Sequence, residues 1–395
     1  MTHYQYVVVG RGLIGSAAAR HLALEAESVA LVGPDEPVTK ERHHGVFGSH
    51  YDEGRITRVL DQDETWARLA QASIERYRDI EAASGVNFYS EVGLLAAAPG
   101  EEGAAYVDAL GQVALQLNAP ADRLDPALLA AEYPAMQFAE GTVGIRQLED
   151  AGHVSPRRLV TAQAAAAQRA GAAIIREEVT GLRETVMGVD IATAGGTELS
   201  AEHLLIATGG YTAVGEVPGV ELDWTVEGRV VVLFEIDDSR ADAIGAMPSM
   251  IYHRPWSESV LSTYLLPPIE YPDGKRYLKI GSGTFSHPLT SAEEVGHWFR
   301  SPDADEDIET LTAFACELIP ALKGAPVTSQ TCMTTHTATG LPYVGVVGSR
   351  TAIAAGGNGA AAKSSDEIGR LAALTMLDRD WPAGYDEAAF QPVSR

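Results

Sequence analysis

The chain has 395 residues, 46% of them hydrophobic, and 29 basic against 54 acidic side chains give a formal charge of −25. That length allows two or three domains around sizeable cores, and the charge works against phosphate backbones and anionic bilayers, so neither nucleic acid nor membrane is expected as a partner. Two cysteines, Cys316 and Cys332, build no disulfide framework; with no basic N-terminus ahead of an apolar signal and no run of about 18 apolar residues, the chain reads as cytoplasmic.

The first elements read as strand, tight turn, helix, strand. Tyr6 to Val9 is a β-branched run, Gly10-Arg11-Gly12-Leu13-Ile14-Gly15 follows at once, Ser16 to Ala26 is rich in Ala and Leu, and Val29 to Val32 is a second strand. This is the βαβ unit with a G-x-G-x-x-G turn. Gly10 permits the turn, Gly12 lets the backbone approach a pyrophosphate, Gly15 lets helix and strand pack closely, and the helix N-terminus faces the phosphates. The second strand of such units ends in an acid that bonds the adenosine ribose. Here that place is Gly33, followed by Pro34, Asp35 and Glu36. Either Asp35 or Glu36 reaches back, or backbone and water hold the ribose, and the second reading is favoured.

Residues 37 to 58 read as a loop over the cofactor. Its histidines, His43, His44 and His50, lack helical or Cys-x-x-Cys ligand spacing, so no metal is expected. Residues 64 to 83 show helical spacing, Gly93 to Ala97 a strand, and 100 to 135 helices and loops of a substrate-side domain. Asp150 to Leu159 leads into an alanine-rich helix ending at Arg169, capped by Gly171, with a strand over Ala172 to Ile175. A hairpin is predicted from Val179 to Glu198 with Gly195-Gly196 as its turn. His203 to Ala207 is a buried strand ending in Thr208-Gly209-Gly210. Residues 217 to 325 form an excursion with a mostly antiparallel sheet: Arg229 to Ile236 alternates, and Tyr252, Tyr264 and Tyr277 lie in short strands. Thr351 to Ala355 is a strand, Gly356-Gly357-Asn358-Gly359 a turn, and Ala360 to Asp378 a closing helix. The fold class is therefore α/β, a Rossmann-like domain over 1–60, 150–215 and 326–395 interleaved with an α+β substrate domain over 61–149 and 216–325.

Four segments carry a family likeness. They are Gly48-Ser49-His50 with Arg55-Ile56-Thr57-Arg58, Tyr277-Leu278-Lys279-Ile280-Gly281, Thr331-Cys332-Met333, and Gly356 to Lys363. Together with the first turn, the Gly152-His153-Val154-Ser155-Pro156 helix entry and the Ala-Thr-Gly-Gly strand end, they resemble D-amino-acid oxidase-type FAD oxidoreductases. The nearest likeness is to monomeric sarcosine oxidase and its N-methyl amino acid and fructosyl amino acid oxidase relatives, over essentially the whole chain.

The resemblance implies FAD, bound through Gly10, Gly12, Leu13, Ile14, Gly15, Ser49, His50, Arg55, Val179, Thr208, Gly209, Gly356, Gly357, Asn358, Gly359 and Lys363, and covalently through Cys332. It implies hydride transfer to flavin N5 from a secondary amine or N-substituted amino acid, giving an imine, and reoxidation by oxygen to hydrogen peroxide. The catalytic candidates are Lys279, Arg55, Arg58, Lys363 and Tyr264. Lys279 is a lysine in an apolar strand, which is costly to bury without a reason; a cation there helps oxygen accept an electron. Its bland alternative is a solvent-facing strand position. Arg58 and Lys363 are candidates to clamp a carboxylate, as fork and point charge, the alternative being surface ion pairs with the abundant acids. Tyr264 matches an aromatic that lines the substrate pocket in the relatives. For Cys332 the alternative is a buried apolar cysteine.

Some positions depart from the family pattern. Gly283 stands where relatives place a histidine, with His287 further on; Thr334 replaces an aromatic, with His336 nearby; and Ala338 to Pro342 lacks the usual acids. Smaller groups imply a roomier pocket and a substrate bulkier than sarcosine. A dehydrogenase or primary amino acid oxidase of the same superfamily is the alternative. An NAD-dependent dehydrogenase is disfavoured by Gly33 and the interleaving, and a non-enzymatic subunit by the gathering of Arg58, Lys279, Cys332 and Lys363 in one chain. The protein is expected to be a monomer or small homo-oligomer.

Overall fold

A computed structural model describes residues 1–215, 221–257 and 260–394. The expected start of the second excursion, at 216–220, lies outside the described residues.

The apolar strands near the N-terminus lack alternation because both of their faces are covered. Thr2–Val9 runs parallel between Val29–Val32 and Glu198–Ile206. Ala173–Ile175 flanks Val29–Val32, and Thr351–Ala355 lies beyond Glu198–Ile206, making five parallel strands. Tyr6, Val8, Leu31 and Leu205 face the helices Leu13–Ala23, Pro156–Arg169 and Ala361–Met376. Val7, Val9, Val32 and Ile206 face the other way, onto Val189, Ile191 and Leu199. The small side chains Ala17, Ala18 and Ala19, all fully buried, let the helices lie close. A buried carboxylate ties these helices together. Asp366 accepts from Arg20 (2.7 Å), Gln163 (2.7 Å) and Arg76 (2.6 Å).

The second sheet has nine strands and is antiparallel apart from the Ser249–Tyr252 and Leu94–Pro99 pair. Trp224–Glu235, Arg276–Ser282 and Thr263–Glu270 lie side by side at its centre. Arg55–Thr57, Gly152–Val154 and Tyr89–Ser90 form a separate three-stranded sheet.

Several elements differ from expectation. The region 64–83 is two helices, Glu64–Ile74 and Tyr77–Ser84, with Asp63 capping the first through the Trp66 amide. The hairpin is a three-stranded meander. Val179–Glu184 turns at 185–188 onto Val189–Thr193, and the Gly195-Gly196 turn joins that strand to Glu198–Ile206. The two glycines marked a turn correctly, but Thr185, whose hydroxyl accepts from the Met187 and Gly188 amides, makes an earlier one. Val327–Thr337, counted above with the cofactor domain, pairs along its whole length with Trp224–Glu235 in the second sheet. The crossover back to the first sheet therefore falls after Thr337.

Candidate active site

The first turn is shaped by close backbone approach. Gly10 has φ +113°, and a Cβ there would lie 2.2 Å from the Ala207 carbonyl oxygen on the neighbouring strand end. Gly12 heads the helix Leu13–Ala23 with no side chain capping it. The absent acid at Gly33 also has a physical reason. A Cβ there would stand 2.7 Å from the Arg11 amide nitrogen. Arg11 folds over this strand end, donating to the carbonyls of Gly33 (3.0 Å) and Pro34 (2.9 Å) and pairing with Asp35. Glu36 is held by Nε and Nη2 of Arg157, at 2.6 and 2.8 Å. Both acids that could have reached a ribose are thus engaged by arginines. The bare turn, the uncapped helix and the strand ends beside them fit a dinucleotide, with backbone rather than carboxylate facing the ribose.

His50 sits in the loop above this turn, its Nδ1 3.9 Å from where a Cβ on Gly12 would be. Burial, with Arg11 and Arg157 adding repulsion, pushes its pKa down to about 3, so the ring is neutral. Ser49 lies beside it in the same loop. Thr208 and Gly209 follow the strand end at Ile206 after Ala207, and the Thr208 hydroxyl bonds that of Thr212 at 2.8 Å. Val179 begins the meander opposite Thr193. In the Gly356–Gly359 turn, Asn358 is a non-glycine residue at φ +47°. Its Oδ1 accepts from the Thr337 amide (3.0 Å) and its Nδ2 donates to the Gly356 carbonyl (2.8 Å). The side chain therefore locks the turn itself, leaving backbone to face a ligand.

Lys279 is not solvent-facing; it is fully buried. Its ammonium pairs with Asp52 and donates to the Gly54 carbonyl at 2.7 Å. Arg55, placed by the strand Arg55–Thr57, pairs with the same Asp52 oxygen. The other Asp52 oxygen accepts from the Tyr271 hydroxyl and the Glu53 amide, both at 2.8 Å. Burial first, then Arg55, lowers the Lys279 pKa to about 8, against the opposing pull of Asp52. Lys279 and Arg55 in turn hold the Asp52 carboxyl well below the usual range, against the effect of burial. The Tyr264 ring lies under the lysine, 5.6 Å from ring centre to Nζ, and burial pushes its hydroxyl up to about 12. Cys332, half-buried and free, lies opposite Arg229 and within electrostatic reach of Lys279 and Arg55. Trp298 holds its carbonyl at 3.0 Å.

Arg58 and Lys363 come together across a second carboxylate. Lys363 Nζ donates to Asp61 Oδ2 at 2.8 Å, and Arg58 donates to that oxygen at 3.3 Å. Burial lowers Lys363 to about 8, while Lys363 and then Arg58 bring Asp61 down to about 2 against its own burial. The Tyr77 hydroxyl fixes the Lys363 carbonyl at 2.9 Å.

His287 does not join this group; it bonds Asp307 at 2.6 Å and lies against Trp298 at the sheet edge. His336 bonds the Thr334 hydroxyl (3.0 Å) and Arg229 (3.4 Å). A Cβ on Gly283 would meet nothing within 4 Å. Sequence reasoning missed Asp52, Asp61, Tyr271 and Arg229. The signal for the two acids was available: a buried lysine needs a counter-ion, and each lies within a few residues of an arginine already singled out. Among the described residues no group of three or more His, Cys, Asp or Glu is placed to hold a metal, and no helix is long and apolar enough to cross a membrane.

Comparison with known proteins agrees in family. The family described as DAO, FAD dependent oxidoreductase, matches residues 5–374. A monomeric sarcosine oxidase of Streptomyces avermitilis is 26% identical over 343 residues, covering 85% of this chain and 82% of that protein. An N-methyl-L-tryptophan oxidase of Yersinia pestis is 22% identical over 208 residues, covering 52% and 53%. Among solved structures, NikD, an unusual amino acid oxidase essential for nikkomycin biosynthesis, superposes with a TM-score of 0.77 at 20% identity, covering 100% of this chain and 98% of that one.

Proposed function

The chain belongs to the DAO family of FAD dependent oxidoreductases, and from that membership we propose that it oxidises a secondary amine or N-substituted amino acid and passes the electrons to oxygen as hydrogen peroxide. The observation that carries this reading is Lys279, a fully buried ammonium kept in place by Asp52 and the Gly54 carbonyl. The likeness to a sarcosine oxidase and an N-methyl amino acid oxidase supports the amine as donor.

When bound, FAD supplies the two-electron acceptor for a hydride leaving the carbon beside the amine nitrogen. The Gly10–Gly15 turn and the backbone after Ile206 would hold its phosphates and ribose. The Gly356–Gly359 turn, at the head of the closing helix, would present backbone donors to its electron-rich edge. Cys332 would tether it through sulfur. Arg58 and Lys363 would orient the polar end of the substrate, and Tyr264 would form a wall of its pocket. Burial at this site strengthens each charge and excludes water from the imine until release. Lys279 would hold positive charge where oxygen takes up electrons, and its ammonium is a proton donor below about pH 8.

The test is an absorbance spectrum of the purified chain before and after acid precipitation, then a peroxide assay across N-methyl, cyclic and N-glycated amino acids. Yellow colour with peroxide from at least one class is expected. Flavin bleaching without peroxide would leave a dehydrogenase, and neither bleaching nor peroxide would sink the amine reading.

A further inference from the structure

Among the described residues the fold buries three lysine or arginine side chains, Arg229, Lys279 and Lys363. Lys279 pairs with Asp52 and Lys363 with Asp61, whereas Arg229 pairs with no carboxylate among the described residues. Its hydrogen bonds go to the Phe285 carbonyl and, at 3.4 Å, to the His336 ring. Burial first, then Arg229 itself, lowers the His336 pKa, so the ring adds no charge at neutral pH. Glu227, Cys332, Tyr264 and Asp307 act on Arg229 from beyond ion-pair distance, and burial outweighs them, lowering its pKa from the ordinary value. A guanidinium stays protonated all the same. A buried charge without a counter-ion is costly, and only one N–H of each terminal nitrogen is spent, on a neutral partner.

This unpaired cation stands on the face of the sheet that carries the site. Arg229 and Leu233 are four apart on Trp224–Glu235, so they share a face, and Leu233 pairs with Lys279. Cys332 stands directly opposite Arg229 on the other neighbouring strand. Space is left beside the guanidinium. Val231 pairs with Gly281 and Gly228 with His287, so Gly283 lies in the short stretch facing Arg229, and a Cβ there would meet nothing within 4 Å. A carboxylate entering that space would meet a planar fork with free donors and a charge that has no anion. We propose that Arg229 is a specificity-determining residue: it receives a second, side-chain carboxylate, so that N-substituted dicarboxylic amino acids are preferred over monocarboxylic ones. The proposal rests on the amine-oxidation reading and names the substrate class within it. The α-carboxylate stays with Arg58 and Lys363, and Arg229 takes the distal one.

The experiment uses the full FAD-loaded chain. Acetate, propionate and butyrate are titrated against the flavin absorbance bands beside malonate, succinate and glutarate. Anaerobic bleaching by N-methylalanine is compared with bleaching by N-methylaspartate and N-methylglutamate. In the unaltered protein at least one diacid should bind, and one N-methyl diacid bleach, about ten-fold or more better than its monoacid counterpart. Arg229→Gln should bring both ratios down by about ten-fold, and Arg229→Lys should keep part of the preference. Diacids bound no more tightly than monoacids by the unaltered protein overturn the proposal even if neither variant folds, and so does a preference that survives Arg229→Gln. If diacids are preferred yet no amine bleaches the flavin, the pairing stands and the oxidation reading fails. If N-methylalanine bleaches it as fast as both N-methyl diacids do, selection fails and oxidation stands.

Discussion

Two lysines, on a strand of one sheet and at the head of a helix on the other, are buried in the same manner and to different ends. Lys279 and Lys363 are each paired with an aspartate that also takes an arginine, and burial lowers both to about 8. Around Asp52 every partner is in place: two cations on one oxygen, Tyr271 and the Glu53 amide on the other. Around Asp61 one oxygen carries both cations and the other only the Asp63 amide at 3.3 Å, the geometry to Arg58 is looser, and an arginine N–H is left over. A closed cluster fixes a charge in position. An open one can exchange a partner, which is what a substrate site must do.

The sharpest way to break the comparison is Lys279→Met. Reoxidation of the reduced flavin by oxygen is expected to slow by about 100-fold, as when one preorganised charge is removed from a reacting centre. Anaerobic bleaching by substrate should change by less than about five-fold. Equal losses in both half-reactions would move Lys279 from oxygen chemistry to substrate binding.

Asp52→Asn should be nearly as damaging, by a different route. It leaves two cations together without their anion, which costs on the order of 3 kcal/mol of stability in a buried pair, read as a lower unfolding midpoint in urea. Its second signature is a pH profile. The Lys279 ammonium persists below about 8 and is lost above, so reoxidation should fall as pH rises through that value. Without Asp52 the lysine loses the main group that raises its affinity for its proton, and the fall should move to lower pH. An unmoved profile would detach the aspartate from the lysine's charge.

Cys332→Ala should leave the fold intact and release the yellow colour on acid precipitation. Colour that stays with the precipitated variant would rule out this cysteine as the tether.

The smallest effect belongs to the open cluster. Asp61 is depressed from 3.8 to about 2, so it contributes stability that is present above pH 4 and lost as pH falls toward 2. That contribution is on the order of 2 kcal/mol, and Asp61→Asn should flatten this part of the acid unfolding curve. An unchanged acid limb would show that the aspartate is not charged in the fold.

The parts legible in advance were those with strong local signatures. Tyr6 to Val9 with its glycine turn, the Thr351 to Ala355 strand and the helix after it announced the cofactor sheet, because a continuous β-branched run followed by glycine has few other uses. Val327–Thr337 was harder. Its Thr-rich run does not say which sheet it joins, since pairing with Trp224–Glu235 is decided by register about a hundred residues away. The cations of the site were visible as unusual residues in apolar or glycine-rich settings. Their anions were camouflaged. Asp61 precedes Asp63 and Glu64 in a stretch that reads as a helix start, and Asp63 is indeed the cap. Asp52 lies in a polar loop where an acid attracts no notice, in a chain carrying 54 of them.

The central strand of the cofactor sheet lies far in sequence from one of its two neighbours. Thr2–Val9 needs Glu198–Ile206 on one side, and that strand needs Thr351–Ala355 beyond it. At about 5–20 residues per second on the ribosome, Thr2–Val9 waits roughly 10–40 s before Glu198–Ile206 exists. During that interval a flat, β-branched edge is open to other nascent chains. A ribosome stalled before residue 351 would release a polypeptide whose turn for the cofactor is already written and whose sheet cannot close around it. Such a chain's fate would lie with chaperones and proteases, and flavin supply could rescue only chains in which Thr351–Ala355 has been made.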